Sequence, residues 1–241
     1  MISRGEYLYP MRRLTPPAAG LAAVVLVAAC GLQPEDPAVA LRQGGQATAA
    51  LKTVTATVKV TKGTITFQGF KLVAATAAVR LPDASDTNYT VRDKDIQISF
   101  EVVILDGHFF FRPPLLAFSE LTPAQAAQIP DLALLFDPNH GLPAVIPAGR
   151  NPQYQAADQV DGVDSHRVSA TYSAEQIKGL LPQLSAQGDV QAVIWVGGSD
   201  HYIRKAVLSG KFGDNGTDST VEVDLSGFNS AVHIASPTRT G

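Results

Sequence analysis

The chain of 241 residues is 45% hydrophobic and only 17% charged, which supports one sizeable globular core and excludes a disordered or collagen-like protein. Nineteen Lys and Arg stand against 22 Asp and Glu, a formal net charge of −3; with no basic field to hold a phosphate backbone, nucleic acid is not expected as a partner. The single cysteine, Cys30, excludes an intramolecular disulfide framework and every cysteine-rich zinc pattern.

The first thirty residues have the layout of an export signal. Arg12 and Arg13 precede a 12-residue apolar run from Ala18 to Ala29, too short for a spanning helix, which needs about 20 such residues. Val27-Ala28-Ala29-Cys30 resembles the bacterial lipobox: a branched aliphatic, two small residues, and a cysteine whose thiol takes a diacylglyceryl group. Residues 1–29 are therefore read as a signal peptide, Cys30 as the lipid-attachment site, and 30–37 as the lipidated cysteine with a short, polar, Pro-rich tether. A plain secretory signal, or a buried cysteine, is the competing reading. Met11-Arg12-Arg13 is itself a conventional start, so translation from Met1 or from Met11 gives the same mature chain. Removal of residues 1–29 takes away Arg4, Arg12, Arg13 and Glu6, leaving 16 basic and 21 acidic residues in a mildly acidic body.

Residues 38–241 are expected to form a single domain. A helix from Pro37 to Ala50 leads out of the tether. Val54, Ala56, Val58 and Val60 then alternate with Thr and Lys, the period of a strand with one face buried. Val73–Val79 is strand-like but lined with small side chains, among them Ala75 and Ala77, which leave volume that the protein does not fill itself. Ile96, Ile98, Phe100, Val102 and Ile104 alternate with Gln97, Ser99 and Glu101 up to Asp106-Gly107, a two-residue hairpin signal, after which His108–Arg112 returns. Thr122-Pro123 offers a helix N-cap. The apolar residues that follow, including Leu132, Leu135, Leu142 and Val145, are broken into short pieces by Pro130, Pro138, Pro143 and Pro147. Alternation resumes over 166–172, 190–196, 202–212 and 220–226, largely a meander, interrupted by a helix after Ser173 with Ile177, Leu180, Leu181 and Leu184 as its apolar stripe and Pro182 as a kink.

Strands outnumber helices and adjoin in sequence, so the fold class is α+β, with a strongly curved antiparallel sheet and helices against its concave face. Three strand faces and the Pro-broken cover supply candidates for an apolar cavity. They are Val58 and Val60, then Ala75 and Ala77, then Ile98, Phe100 and Val102, and from the cover Leu132, Leu135, Leu142 and Val145. The bland alternative is that these segments meet and close an ordinary core.

No catalytic or metal constellation is apparent. The histidines at 108, 140, 166, 201 and 233 lie far apart and form no metal-ligand pair. Gly197–His201 contains Ser, Asp and His in a row, but adjacent turn residues cannot hold triad geometry, and the segment reads as a hairpin turn. Asp93 and Asp95 flank Lys94 in what reads as a solvated loop. Trp195, between aliphatic neighbours, is expected to be structural.

The lipobox at Cys30 is followed by DLALLFDPNHGL from Asp131, Asn151-Pro152, Asp161-Gly162, Arg167-Val168-Ser169 and Ile194-Trp195-Val196. In that order the chain resembles the LppX/LprA/LprF/LprG lipoproteins of the actinobacterial envelope, a likeness that runs through nearly all of the mature body. The resemblance implies a half-barrel with helices over its concave side, an apolar cavity that carries di- or triacylated lipids or glycolipids, and no cofactor or catalytic residue. It places the protein on the extracytoplasmic face of the plasma membrane, held by its N-terminal lipid anchor, with a lipid transporter as a possible partner. Pro130-Asp131-Leu132, Pro138 and Pro143 depart from the family pattern at the rim of the cavity, so ligand identity is not carried over.

Three functions compete. A lipid-binding module needs an open apolar cavity; a lipid esterase needs His108, His140, His166 or His201 in that cavity beside Ser or Asp; a structural or interaction lipoprotein needs a filled core and a used convex face.

Overall fold

The computed structural model describes residues 32–67, 69–180, 186–212 and 216–237. Cys30 and the signal segment lie outside these residues, as do Leu181, Pro182 and Leu184 of the second helical stripe.

Helix α1 (Pro37–Ala49) starts at the proline where the sequence predicts a helix, and Asp36 caps it. Asp36 Oδ1 accepts from the backbone N–H groups of Ala38 and Val39, both at 3.0 Å, satisfying donors that the first turn otherwise leaves orphaned. The helix buries Ala40, Leu41, Gly44, Gly45 and Thr48. A Cβ on Gly45 would lie 2.7 Å from the carbonyl oxygen of Pro143, so glycine here permits close helix packing.

The strands are β1 (Thr53–Lys62), β2 (Thr66–Phe67), β3 (Phe70–Arg80), β4 (Ala84–Asp93), β5 (Ile96–Leu105), β6 (His108–Arg112), β7 (Ser119–Glu120), β8 (Arg150–Val160), β9 (Val163–Tyr172), β10 (Val190–Gly197), β11 (Ile203–Phe212) and β12 (Thr217–Ser226). Between β7 and β8 run α2 (Pro123–Ala126), a 3-10 turn over 132–136, α3 (Leu142–Val145) and a second 3-10 turn over 146–148; α4 (Ala174–Leu180) follows β9. The cover is thus in short pieces, as its prolines require.

All pairings are antiparallel, in the order β7-β6-β5-β4-β3-β1-β12-β11-β10-β9-β8, with β2 pairing β3 off this path. Two meanders are stitched together where β1 meets β12, with Val58 opposite Val223, and the edges at β7 and β8 do not meet. This is the α+β half-barrel expected from the sequence. Asp106-Gly107 and Asp161-Gly162 both have positive φ at each residue, the backbone that two-residue hairpins with right-handed strand twist demand. Gly197–His201 is the β10–β11 turn, and Lys94 turns β4 into β5.

Besides the two-residue strands β2 and β7, two longer strands, β4 and β8, show no legible alternation. The inward side chains of β4 include Thr87 beside Tyr89 and Val91, a face too polar in type to show a period. Edge strand β8 holds Pro152 and alternates only between half-buried and exposed residues, as an edge strand can.

The concave face is covered by α1, which packs on β8–β11 and α3, and by the 132–136 turn, which packs on β3 and β4. The odd face of β5 is less solvated than its sequence implies: Gln97 and Ser99 are exposed, but Glu101 pairs with Arg112 and Val103 is buried with Ala84 and Ile234.

Candidate functional site

Between the concave face and its cover lies an apolar cavity. About 230 Å³ of it is open to the centre of a water molecule, and its atom-free space, mouth included, is about 1670 Å³. The floor comes from the centre of the sheet, where Ala56, Val58, Ala75, Ala77, Ala206 and Val223 are too short to reach the cover. The roof comes from Leu132, Leu135, Phe136, Leu142, Val145 and Ile146, with Ile177 and Leu180 of α4 closing one side.

Two of the four hydroxyl side chains in the wall, those of Thr48 and Tyr172, bond to the protein's own backbone. Thr48 Oγ1 donates to the Gly44 carbonyl at 2.7 Å, and the Tyr172 hydroxyl donates to the Ile146 carbonyl at 2.9 Å. Burial pushes the phenols of Tyr89 and Tyr172 far above the usual tyrosine range, so both stay neutral. No Asp, Glu, His, Lys or Arg lines this space among the described residues. Such a wall has nothing with which to orient a polar substrate, and it suits hydrocarbon.

Of the residues expected at the cavity, Val58, Ala75 and Ala77 on the floor and Leu132, Leu135, Leu142 and Val145 in the roof come together around it. Val60 packs against the same core cluster without lining the space. Ile98, Phe100 and Val102 are a correction: they do not line this space but pack in an adjoining cluster with Ala75, Tyr89, Val91 and Ile104, of which Ala75 and Tyr89 also face the cavity. The physical reason is aromatic filling. Tyr89 stacks on Phe100 at 5.2 Å between centroids and Phe111 tilts against it at 5.4 Å, while Ile129 packs on the cluster. The sheet is long enough that one end of its concave face closes on itself.

The floor also takes residues that were read only as strand faces: Ile194 on β10, Leu208 on β11, and Val221 and Leu225 on β12. Their alternation was visible in the sequence; that they share a surface with β1 and β3 depends on the β1–β12 pairing, which no local pattern encodes.

A second space, with polar groups in its lining, adjoins the cavity; about 950 Å³ of it is open to the centre of a water molecule, and Pro130 and Leu180 line both. This vestibule holds two histidine–carboxylate pairs, His108 Nδ1 with Glu120 Oε1 at 2.7 Å and His140 Nδ1 with Asp137 Oδ1 at 3.2 Å, together with Asp131. Backbone N–H groups of His140 and Asn139 hold the Asp137 carboxyl below the usual range, whereas burial pushes Asp131 up. His108 and His140 are well exposed, and among the described residues no serine lines the vestibule and no group of His, Cys, Asp and Glu is arranged to hold a metal ion. His166 lies instead beneath Glu35 and His201 sits in the β10–β11 turn. No described helix is long and apolar enough to cross a membrane.

Trp195 is on the outer face of the sheet, its Nε1 donating to Asp158 Oδ2 at 2.9 Å, with Lys205 Nζ 5.9 Å from the ring centroid. It takes no part in the cavity.

The chain is 28% identical over 171 residues to the lipoarabinomannan carrier protein LprG of Mycobacterium tuberculosis, in a match that takes in 68% of this chain and 63% of that protein, a little under two thirds of its length. It is 25% identical over 193 residues to LprG of Mycobacteroides abscessus, covering 80% and 81% of the two chains. Its fold is similar to the crystal structures of LprF from Mycobacterium bovis, with a TM-score of 0.66 over 86% of this chain and 99% of the other, and of LppX from Mycobacterium tuberculosis, at 0.59 over 83% and 100%, each 20% identical. Residues 36–234 match the model of the LppX_LprAFG lipoprotein, and the chain belongs to that family.

Proposed function

We propose that the protein is a lipid carrier of the cell envelope, anchored through Cys30 on the extracytoplasmic face of the plasma membrane, which shields the acyl chains of a di- or triacylated lipid or glycolipid during transfer. The observation that carries this reading is the apolar cavity, whose described lining residues include no charged group. Burying a chain of about 16 methylenes at about 0.8 kcal/mol each offers roughly 12 kcal/mol of gross driving force, enough to offset the ordering cost of binding without any polar anchor. The carrier names of the LprG relatives agree with it. In this reading the lipid is transferred without chemistry; among the described residues the vestibule's histidines have no serine, threonine or cysteine beside them to act as a nucleophile. A transporter that delivers or receives the lipid is a compatible partner.

The test is mass spectrometry of lipid extracted from the protein purified from an actinobacterial host, using a soluble form that begins at Gly31. Stoichiometric acylated lipid is expected. Repeated preparations without lipid, combined with no uptake from vesicles, would leave the cavity as a packing feature and favour an interaction lipoprotein.

A further inference from the structure

The described surface exposes four large aliphatic side chains, and three of them, Ile96 at 67%, Leu115 at 103% and Leu116 at 64%, stand at one end of the sheet. Ile96 opens β5 at the β4–β5 hairpin, and Arg112 at the end of β6 faces Glu101, so the turn that follows β6 runs out beside the first residues of β5. In that turn the Leu116 N–H donates to the Pro113 carbonyl at 3.3 Å, which puts Pro114 and Leu115 at its centre. Leu115 has φ 62°, a backbone for which glycine or asparagine is the ordinary second central residue. Gly107 and Gly162 fill such positions in two of the hairpins. A leucine there combines a strained backbone with a wholly exposed side chain, and nothing within the fold offsets either.

The same end gathers exposed cations. Lys62 ends β1, Lys71 lies opposite Arg92 at the start of β3, and Lys94 turns β4 into β5. Among the described residues none of the four has a carboxylate partner, and Asp93 and Asp95 are the acidic residues of the hairpin. Two net positive charges therefore stand beside the leucines, on a mature body whose overall balance is acidic. Aliphatic side chains at a tip flanked by lysine and arginine combine the two attractions that hold a protein to a lipid surface, apolar insertion and anionic headgroups. A single projecting turn is too small for a stable protein interface, which buries about 800 Å² on each partner.

We infer that this tip is a membrane-contact surface, which seats Leu115 and Leu116 in the interface of an anionic bilayer. The register also says which bilayer. The β10–β11 turn, on which Leu32 rests, lies beside the start of β1, whereas the β4–β5 hairpin lies beside its end. Ten strand residues separate the two ends by about 33 Å, and Cys30, two residues before Leu32, is within about 7 Å of it by chain length alone. Resting on the anchor in the carrier reading, the contacted bilayer is one that faces the anchoring membrane.

The test is co-sedimentation of the form that begins at Gly31, which keeps every described residue, with vesicles of phosphatidylcholine alone or mixed equally with phosphatidylglycerol. At physiological salt a Debye length of about 8 Å screens the distant acidic groups while the tip still acts. A cation near an anionic surface is worth about fivefold in partitioning, so two net charges predict a preference of about 25-fold for the anionic vesicles. Leu115→Gly relieves the turn and should melt no lower than wild type, yet bind about tenfold more weakly, the lower end of what burying a leucine offers. Lys71→Glu with Lys94→Glu should abolish the preference, and Lys52→Glu, at the other end of β1, should leave it alone. No binding by wild type, equal binding to both vesicles, or binding that neither tip variant reduces overturns the inference. A second arm places the lipidated protein in phosphatidylcholine vesicles, which should capture anionic vesicles in wild type and not in Leu115→Gly. Failure to capture them while the soluble form binds overturns the assignment to a facing bilayer. None of these outcomes touches the carrier reading, which the extracted lipid decides.

Discussion

Glu35 Oε2 lies 3.3 Å from Nε2 of His166, a histidine only 5% exposed in its side chain. Glu35 belongs to the segment whose composition reads as a free tether. That segment is docked: a Cβ on Gly198 would come within 2.4 Å of Leu32 Cδ1, so Leu32 rests on the β10–β11 turn, and the next residues run past His166 into α1.

The pair sets a pH dependence. Burial holds the His166 pKa below its ordinary value, Glu35 raises it in part, and His201 lowers it again. A histidine that resists protonation when folded takes up its proton more readily when unfolded. Its contribution is complete above the unfolded value of about 6.5 and is lost as pH falls below it. Melting curves from pH 8 to pH 5 should therefore show wild type losing stability relative to His166→Gln on the acid side. Parallel curves for the two proteins would refute the assignment.

Filling the cavity and overfilling the core should have opposite consequences. Ala206, half-buried on the floor, should accept Ala206→Trp with the fold retained and bound lipid reduced, because the ring enters space that the protein leaves unfilled. Val102, 1% exposed in the aromatic cluster, has no such space, and Val102→Trp should cost about 1–3 kcal/mol by overpacking. Thermal melts beside lipid-per-protein measurements separate the two, and a stable Val102→Trp protein with less lipid would return the β5 face to the cavity.

A buried hydrogen bond ties the roof to β9. Tyr172→Phe removes the phenol donor from the Ile146 carbonyl, which keeps the Gly149 N–H at 3.3 Å; it should cost about 0.5–1.5 kcal/mol and also speed lipid exchange by loosening the turn that ends at Gly149. Gly149→Ala, whose Cβ would lie 2.8 Å from both the Tyr172 hydroxyl oxygen and the Ala170 Cβ, should disturb the same place. Unchanged exchange rates in both variants would mean that the roof does not gate the cavity.

Trp195→Phe removes the bond to Asp158 on the outer face and should cost about 1 kcal/mol with lipid binding intact. Because Asp158 also accepts from Arg167 at 2.8 Å, a double-mutant cycle with Arg167→Ala should show coupling between the two donors. Loss of lipid at an unchanged melting temperature would contradict the outward placement.

Cys30→Ala should release the protein from the membrane or stall its processing. Detergent partition and the intact mass of the mature chain check this, and an unmodified Cys30 in a membrane-bound protein would defeat the anchor.

Local chemistry was enough to read most elements. Period-two alternation marks β1, β5 and β9–β12, Asp106-Gly107 marks a hairpin, Pro37 marks the start of α1, and four prolines mark a broken cover, because each depends on backbone preferences within a few residues. The same locality hides β4 and β8, whose partners rather than their own side chains make them strands.

The cavity was legible only in part, as a run of small residues on β3 and a loose aliphatic cover. That Ala75 faces space while Phe100, also inward-facing and one strand pair away, faces Tyr89 and Phe111 follows from where the sheet bends and what its ends fold over. An alternating strand announces that one face is buried; whether it is buried by protein or left for a ligand depends on the volume between elements far apart in sequence, which tertiary packing alone sets.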